Sequence, residues 1–151
     1  MRWSGRLISL VWGVVALAGC GSASPPLLQG SLKAEAASNP DLNGRPSPVV
    51  VRVYELKSLG AFNSADFFSL FERESETLGG DLVGREEYDL RPAETRPYRR
   101  QLQPDTKFIG VIAAFRDLEN SRWRQAAPVP PKKAVTIAIG LEARAVSMAM
   151  K

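Results

Sequence analysis

The chain has 151 residues, no histidine and one cysteine, which leaves no usual base for a Ser-His-Asp or Cys-His apparatus, too few ligands for a Cys/His zinc site and no internal disulfide. Apolar residues at 44% and charged residues at 24% match a globular domain, and 12 Gly with 11 Pro favour turns over a helical bundle. Formal charge is +4, but without Arg2 and Arg6, in a segment read below as removed, 18 basic residues face 16 acidic ones, and +2 is too little for a nucleic-acid binder.

Residues 1–19 read as an export signal. Met1–Arg6 carries two arginines, and Leu7–Ala18 follows with no charge. As a helix this run would span about 18 Å, short of a bilayer core of about 30 Å. It suits a signal-peptide apolar region better than a membrane span. Leu17-Ala18-Gly19-Cys20 then resembles the bacterial lipobox. The resemblance implies cleavage before Cys20 and a lipid on its sulfur, with outer-membrane sorting because Gly21, not Asp, follows. Anchoring by two or more acyl chains is stable where one is marginal. Residues 20–26, ending Ser24-Pro25-Pro26, read as a solvated tether. Residues 27–151 are the expected folded domain.

That domain reads as strands. Leu28–Ala36 alternates, with Leu28, Gly30, Leu32, Ala34 and Ala36 on one face. Ser38–Ser47 follows, ten residues rich in turn formers and long for a hairpin. Val49–Leu56 is β-branched and aromatic. Asn63 then reads as the cap of one helix of two to four turns, with Phe67, Leu70, Phe71 and Leu78 at helical spacing and Gly79-Gly80 as its stop. Phe68 lies beside that apolar stripe, where it either widens the packing face or meets a partner. Weaker strands are expected at Glu86–Arg91, Tyr98–Leu102 and Arg122–Gln125. Lys107–Arg116 is apolar on both faces, hence central, and Ala134–Ala145 alternates throughout. Six or seven short strands in this length predict a mainly β, two-sheet sandwich with an inserted helical element.

No constellation for catalysis stands out, and no metal or cofactor is expected beyond the lipid on Cys20. Glu72, Glu74, Glu76, Glu86 and Glu87 lie in charged stretches that read as solvated faces. The glycines form no phosphate loop. Arg91, Arg96, Arg99 and Arg100 read as an exposed turn, or as a patch for anionic lipid or an acidic protein face. Ser38–Ser47, with Leu42 as its one large apolar side chain, is a protruding loop of the kind that binds.

The order of these motifs carries a family resemblance. The lipobox precedes an Asn-Pro…Asn-Gly-Arg-Pro-Ser-Pro loop and the Val49–Lys57 strand (VVVRVYELK); Phe62…Asp66-Phe67, Leu78-Gly79, Arg91-Pro92, Ile109–Asp117 (IGVIAAFRD) and Trp123-Arg124 come later. The sequence resembles the TssJ family, outer-membrane lipoproteins of type VI secretion systems. The resemblance implies a transthyretin-like sandwich without a catalytic site. It also implies an anchor role, in which the loop between the first two strands binds the periplasmic C-terminal region of TssM and TssL completes the membrane complex. On this chain the implied contact residues are Asn39, Pro40, Asp41, Leu42, Asn43, Gly44, Arg45 and Pro46. Shortening Ala37–Ser47 is expected to weaken the partner and spare the fold. A glycine is expected in the turn after Arg91-Pro92, where this chain has Ala93. The alternative is a lipid-anchored small-molecule binding module, with a pocket between the sheets lined by Tyr54 or Trp123.

Overall fold

A computed structural model describes residues 24–151. The signal segment, Cys20 and the first part of the tether lie outside the described residues. Among those described, eight strands form two four-stranded sheets. The strands are β1 Leu27–Ala34, β2 Val49–Leu56, β3 Leu82–Leu90, β4 Thr95–Gln101, β5 Phe108–Ala113, β6 Arg124–Pro128, β7 Ala134–Leu141 and β8 Val146–Met150. One sheet has the order β4-β1-β7-β8 and the other β3-β2-β5-β6. The first is mixed, because β1 and β7 run parallel; the second is antiparallel throughout.

The expected sandwich therefore stands, with particular corrections. The alternation read over Ala134–Ala145 breaks after Leu141. The chain turns through Glu142–Arg144 and returns as β8, a strand the sequence reading missed. Ala36 is exposed in the turn after β1 rather than on its inner face. Helix α1 spans Gly60–Ser64, α2 Phe67–Glu72 and α3 Glu74–Leu78, followed by a 3₁₀ turn at Gly79–Asp81. Three short helices thus replace the single helix. Asp66 rather than Asn63 is the side-chain cap, its Oδ1 accepting the Ser69 N–H at 2.9 Å.

Two apolar layers explain why β2 and β5 carry apolar side chains on both faces. Val49, Val51, Val53, Ile109 and Val111 point between the sheets, against Leu28, Leu32, Ile137 and Ile139. Tyr54, Leu56 and Ile112 point outward and are covered by Phe62, Phe67, Leu70 and Leu78 of the helices. Gly110 belongs to this second layer. A Cβ there would lie 2.7 Å from Phe62 Cζ, so only glycine lets that ring approach the strand this closely. Arg124 holds the end of α1, donating to the carbonyls of Phe62 at 2.7 Å and Ala65 at 2.8 Å. Arg52 fixes α2 and α3: it pairs with Glu74 at 3.2 Å, donates to the Phe71 carbonyl and lies over the Phe71 ring. Burial pushes the Tyr54 phenol up to about 12, so at neutral pH it remains a donor, to the Leu70 carbonyl at 3.1 Å.

The sandwich has two distinct ends. At the start of β1, Leu27 N–H donates to Lys133, Leu102 N–H to Pro26 and Lys107 N–H to Leu56. Buried Glu55 closes this end across the sheets, accepting from Arg100 Nε at 2.8 Å, Gln103 N–H at 2.8 Å and Thr106 Oγ1 at 2.6 Å. At the opposite end, past Ala34, Asn39 N–H donates to Ala143, Ala114 N–H to Val50 and Arg122 N–H to Arg144. The eight residues of β1 separate the ends by about 26 Å at about 3.3 Å per residue.

Candidate partner-binding site

The Ala37–Ser47 loop lies at the end remote from the tether. β1 belongs to one sheet and β2 to the other. The loop is therefore a crossover between sheets, which accounts for its excess over hairpin length. Its two halves differ in role. Ser38, Asn39 and Ser47 are buried at its base. Asn39 takes a left-handed backbone, φ 50°, and its amide bonds through both its nitrogen and its oxygen. Nδ2 donates to the Pro48 carbonyl at 2.6 Å and Oδ1 accepts the Arg116 N–H at 2.8 Å. Among the implied contact residues, Asn39 thus holds the loop rather than facing a partner.

The outer half is built around one carboxylate. Asp41 Oδ1 accepts the N–H groups of Asn43 at 2.8 Å and Arg45 at 2.9 Å, and its Oδ2 takes Arg45 Nε at 2.8 Å. The N–H of Arg45 is the main reason the Asp41 carboxyl sits below the usual aspartate range. Gly44, at φ 76°, supplies the left-handed turn. Pro40 is half-buried, and Asn43, Arg45 and Pro46 are exposed. The result projects Leu42, which is fully exposed at 106%.

Beside Leu42 lies an open groove of about 940 Å³. Three connections far apart in sequence form it. The loop supplies Pro40 and Leu42, the β5–β6 connection Arg116 and Asp117, and the β7–β8 connection Ala143 and Arg144. Arg144 Nε pairs with Asp117 Oδ2 at 3.0 Å. Of these three walls only the loop is legible in the sequence. Arg116 and Asp117 belong to the IAAFRD stretch, but nothing local ties them to the loop, whose Asn39 lies 77 residues before Arg116.

The other residues singled out from sequence do not converge here. The arginines of β4 point alternately in and out: Arg100 pairs with Glu55 and Glu86, while Arg99 is exposed. Arg96 pairs with Glu94 at 2.6 Å. They form no single patch. Glu74 and Glu86, read as solvated, serve instead in ion pairs, Glu74 with Arg52 and Arg85 and Glu86 with Arg100. Phe68 on α2 is 58% exposed, edge-on to buried Phe67. Among the described residues no group of three metal-ligating side chains gathers, and no helix is long and apolar enough to cross a membrane. The space between the sheets is filled by side chains. Tyr54 lies outside it, under the helices, and half-buried Trp123 packs against Phe67. The inter-sheet pocket expected by the small-molecule alternative is therefore not formed by these residues.

The fold and site define a small two-sheet β-sandwich with a filled core and an open groove between three connections at one end. Residues 27–144 match the family described as type VI secretion lipoprotein, VasD, EvfM, TssJ, VC_A0113. The chain belongs to this type VI secretion lipoprotein family. It is 38% identical to the T6SS lipoprotein TssJ1 from Pseudomonas aeruginosa, whose crystal structure it matches with a TM-score of 0.81 over 84% of this chain and 97% of that one. It is 26% identical to Serratia marcescens Lip, a membrane bound component of the type VI secretion system, with a TM-score of 0.77 over 84% and 98% of the chains. A chain of the structure described as T6SS protein TssM C-terminal domain (869-1107) from EAEC matches at 27% identity and TM-score 0.67, over 82% and 97% of the chains. No curated relative matches the chain in a sequence comparison.

Proposed function

We propose that this lipoprotein is a non-enzymatic tether. Lipid on Cys20 holds it in the outer membrane, and its Ala37–Ser47 loop binds the periplasmic C-terminal region of TssM within a membrane complex that includes TssL. The observation that carries this reading is the direction of β1. The tether enters at one end of the sandwich and the loop leaves at the other. A force between two membranes then runs along hydrogen-bonded strands rather than through flexible chain. Family membership and the match to a structure described by the TssM domain support the choice of partner. The pinned turn at Asp41 lowers the ordering cost of binding, as do Pro40, Pro46 and Pro48.

The test is calorimetric titration of the full chain, purified in detergent, with the periplasmic C-terminal domain of TssM from the same genome. Because Ser38, Asn39 and Ser47 are buried, the earlier expectation that all of Ala37–Ser47 can be shortened without harm to the fold is narrowed. Excision belongs to Asp41–Arg45, replaced by Gly-Gly. Binding lost in that variant supports the loop. Binding that survives moves the site elsewhere, with Phe68 next in line. Acyl label found on a Cys20→Ser chain would refute the anchor.

A further inference from the structure

The groove beside the loop has a charge left over. Of the charged side chains that line it, Asp117 pairs with Arg144 at 3.0 Å, and Asp41 is taken by Arg45, which lies outside the lining, at 2.8 Å. Arg116 is exposed and, among the described residues, makes no ion pair. Its field reaches Asp41, but the oxygens of Asp41 already accept from Asn43 and Arg45. Its backbone is fixed, since the Arg116 N–H donates to buried Asn39. The apolar part of the groove is Leu42, Pro40 and Ala143. The site therefore offers an apolar contact and one guanidinium without a counter-ion, both on a braced frame.

We infer that Arg116, which lies outside the loop, reads charge for this site and receives the side-chain carboxylate of an Asp or Glu in the partner's docking segment, next to an apolar side chain that covers Leu42. The inference rests on the loop reading above and adds a residue and a chemistry to it. A guanidinium matches a carboxylate in geometry as well as charge. The walls can offer little to a basic segment, because their own carboxylates are already paired. Arg116 thus contributes to encounter rate and to rejection of wrong partners, with a salt dependence that packing alone lacks.

The test compares the wild-type chain with Arg116→Gln, Arg116→Lys, Arg116→Glu and Leu42→Asp. Each is purified in detergent and titrated with the TssM periplasmic C-terminal domain at low and high salt. Replacing the Arg116 side chain leaves its backbone bond to Asn39, and an unchanged urea midpoint checks the fold. Arg116→Gln is expected to weaken binding roughly tenfold at low salt and much less at high salt, Arg116→Lys to lose less than Arg116→Gln because it keeps the charge without the planar fork, and Arg116→Glu to weaken it by roughly a hundredfold. Leu42→Asp is expected to abolish binding. Loss in Leu42→Asp with wild-type binding by Arg116→Glu keeps the loop and overturns the charge reading. A deficit in Arg116→Gln that salt does not change also overturns it. Salt-dependent loss in the Arg116 variants with normal binding by Leu42→Asp upholds the carboxylate contact and overturns the loop reading. Wild-type binding by every variant overturns both.

Discussion

Asn39 Oδ1 accepts the Arg116 N–H at 2.8 Å, and this bond joins the β1–β2 loop to the β5–β6 connection. The same amide donates to the Pro48 carbonyl at 2.6 Å. One buried side chain therefore sets the loop against the opposite wall of the groove. The positive φ of Asn39 suits an asparagine better than most residues. Loop and groove are thus one rigid unit, although they derive from distant segments.

Asn39→Ala should therefore be costly. It leaves two partly buried backbone groups unpaired, at about 1–3 kcal/mol each, and puts alanine in a left-handed conformation, at about 1–2 kcal/mol. A net loss of about 3 kcal/mol in urea unfolding is expected after relaxation and hydration of the freed groups. Asn39→Gly loses the same hydrogen bonds without the steric cost, and should recover about 1 kcal/mol of that loss. Equal stabilities for the two variants would remove backbone strain from the account.

The bond between Glu55 and Arg100 makes a second prediction, at the other end of the sandwich. Glu55 is 3% exposed and accepts from three donors, two of them in the β4–β5 connection. Glu55→Ala strands Arg100, which still has Glu86 at 3.3 Å, together with the Gln103 N–H. Removing one partner of a buried pair costs about 3–5 kcal/mol; with Arg100 partly in water, about 3 kcal/mol is expected. Urea unfolding measures it, and a loss below about 1 kcal/mol would mean that water replaces the carboxylate freely.

The parts of this architecture that sequence reveals are those set by neighbours along the chain. The bounds of β2 follow from its β-branched run, and the central place of β5 from apolar side chains on both faces. β8 stayed hidden because Leu141, Ala143 and Ala145 continue the alternation of β7 through a turn without Gly or Pro. Sequence places the helix start at Asn63, with Asp66 as the acid of its first turn; in the fold Asp66 is itself the cap of α2, and Phe62 and Phe67 on either side of the break both pack on the sheet. The groove was least visible. It exists only where residues near positions 40, 116 and 143 meet, and no local pattern encodes that meeting.

Ala93 is a local expectation with a measurable consequence. It lies in the β3–β4 turn with φ 63°, and its N–H donates to Glu35 at 3.2 Å. This is the position at which the family resemblance implies glycine. Ala93→Gly removes a left-handed penalty of about 1–2 kcal/mol and adds an unfolded-state entropy cost of about 0.4–1 kcal/mol. A net stabilisation of about 0.5–1 kcal/mol is expected, seen as a higher urea midpoint at unchanged slope. A lower midpoint would show that the alanine methyl makes a contact worth more than the strain.

The Asp41 turn should respond to acid in a defined direction. The Arg45 N–H, then the Arg45 side chain and the Asn43 N–H, favour the charged carboxylate and hold its pKa below the ordinary aspartate value. A group depressed in the folded state contributes above its unfolded pKa, about 3.9 for aspartate. That contribution is lost as pH falls through the folded value. The loop should thus be fully formed at neutral pH and down to about pH 4, and open only below that. Carbon-detected NMR of the Asp41 carboxyl, with protection of the Asn43 and Arg45 amides, follows both events. The expected result is a carboxyl midpoint below the ordinary value, with amide protection lost over the same range. In Asp41→Asn the acid transition of these amides should vanish. A carboxyl midpoint at or above the ordinary value would mean that the turn is not held by this charge, and the rigidity of Leu42 would then rest on the prolines alone.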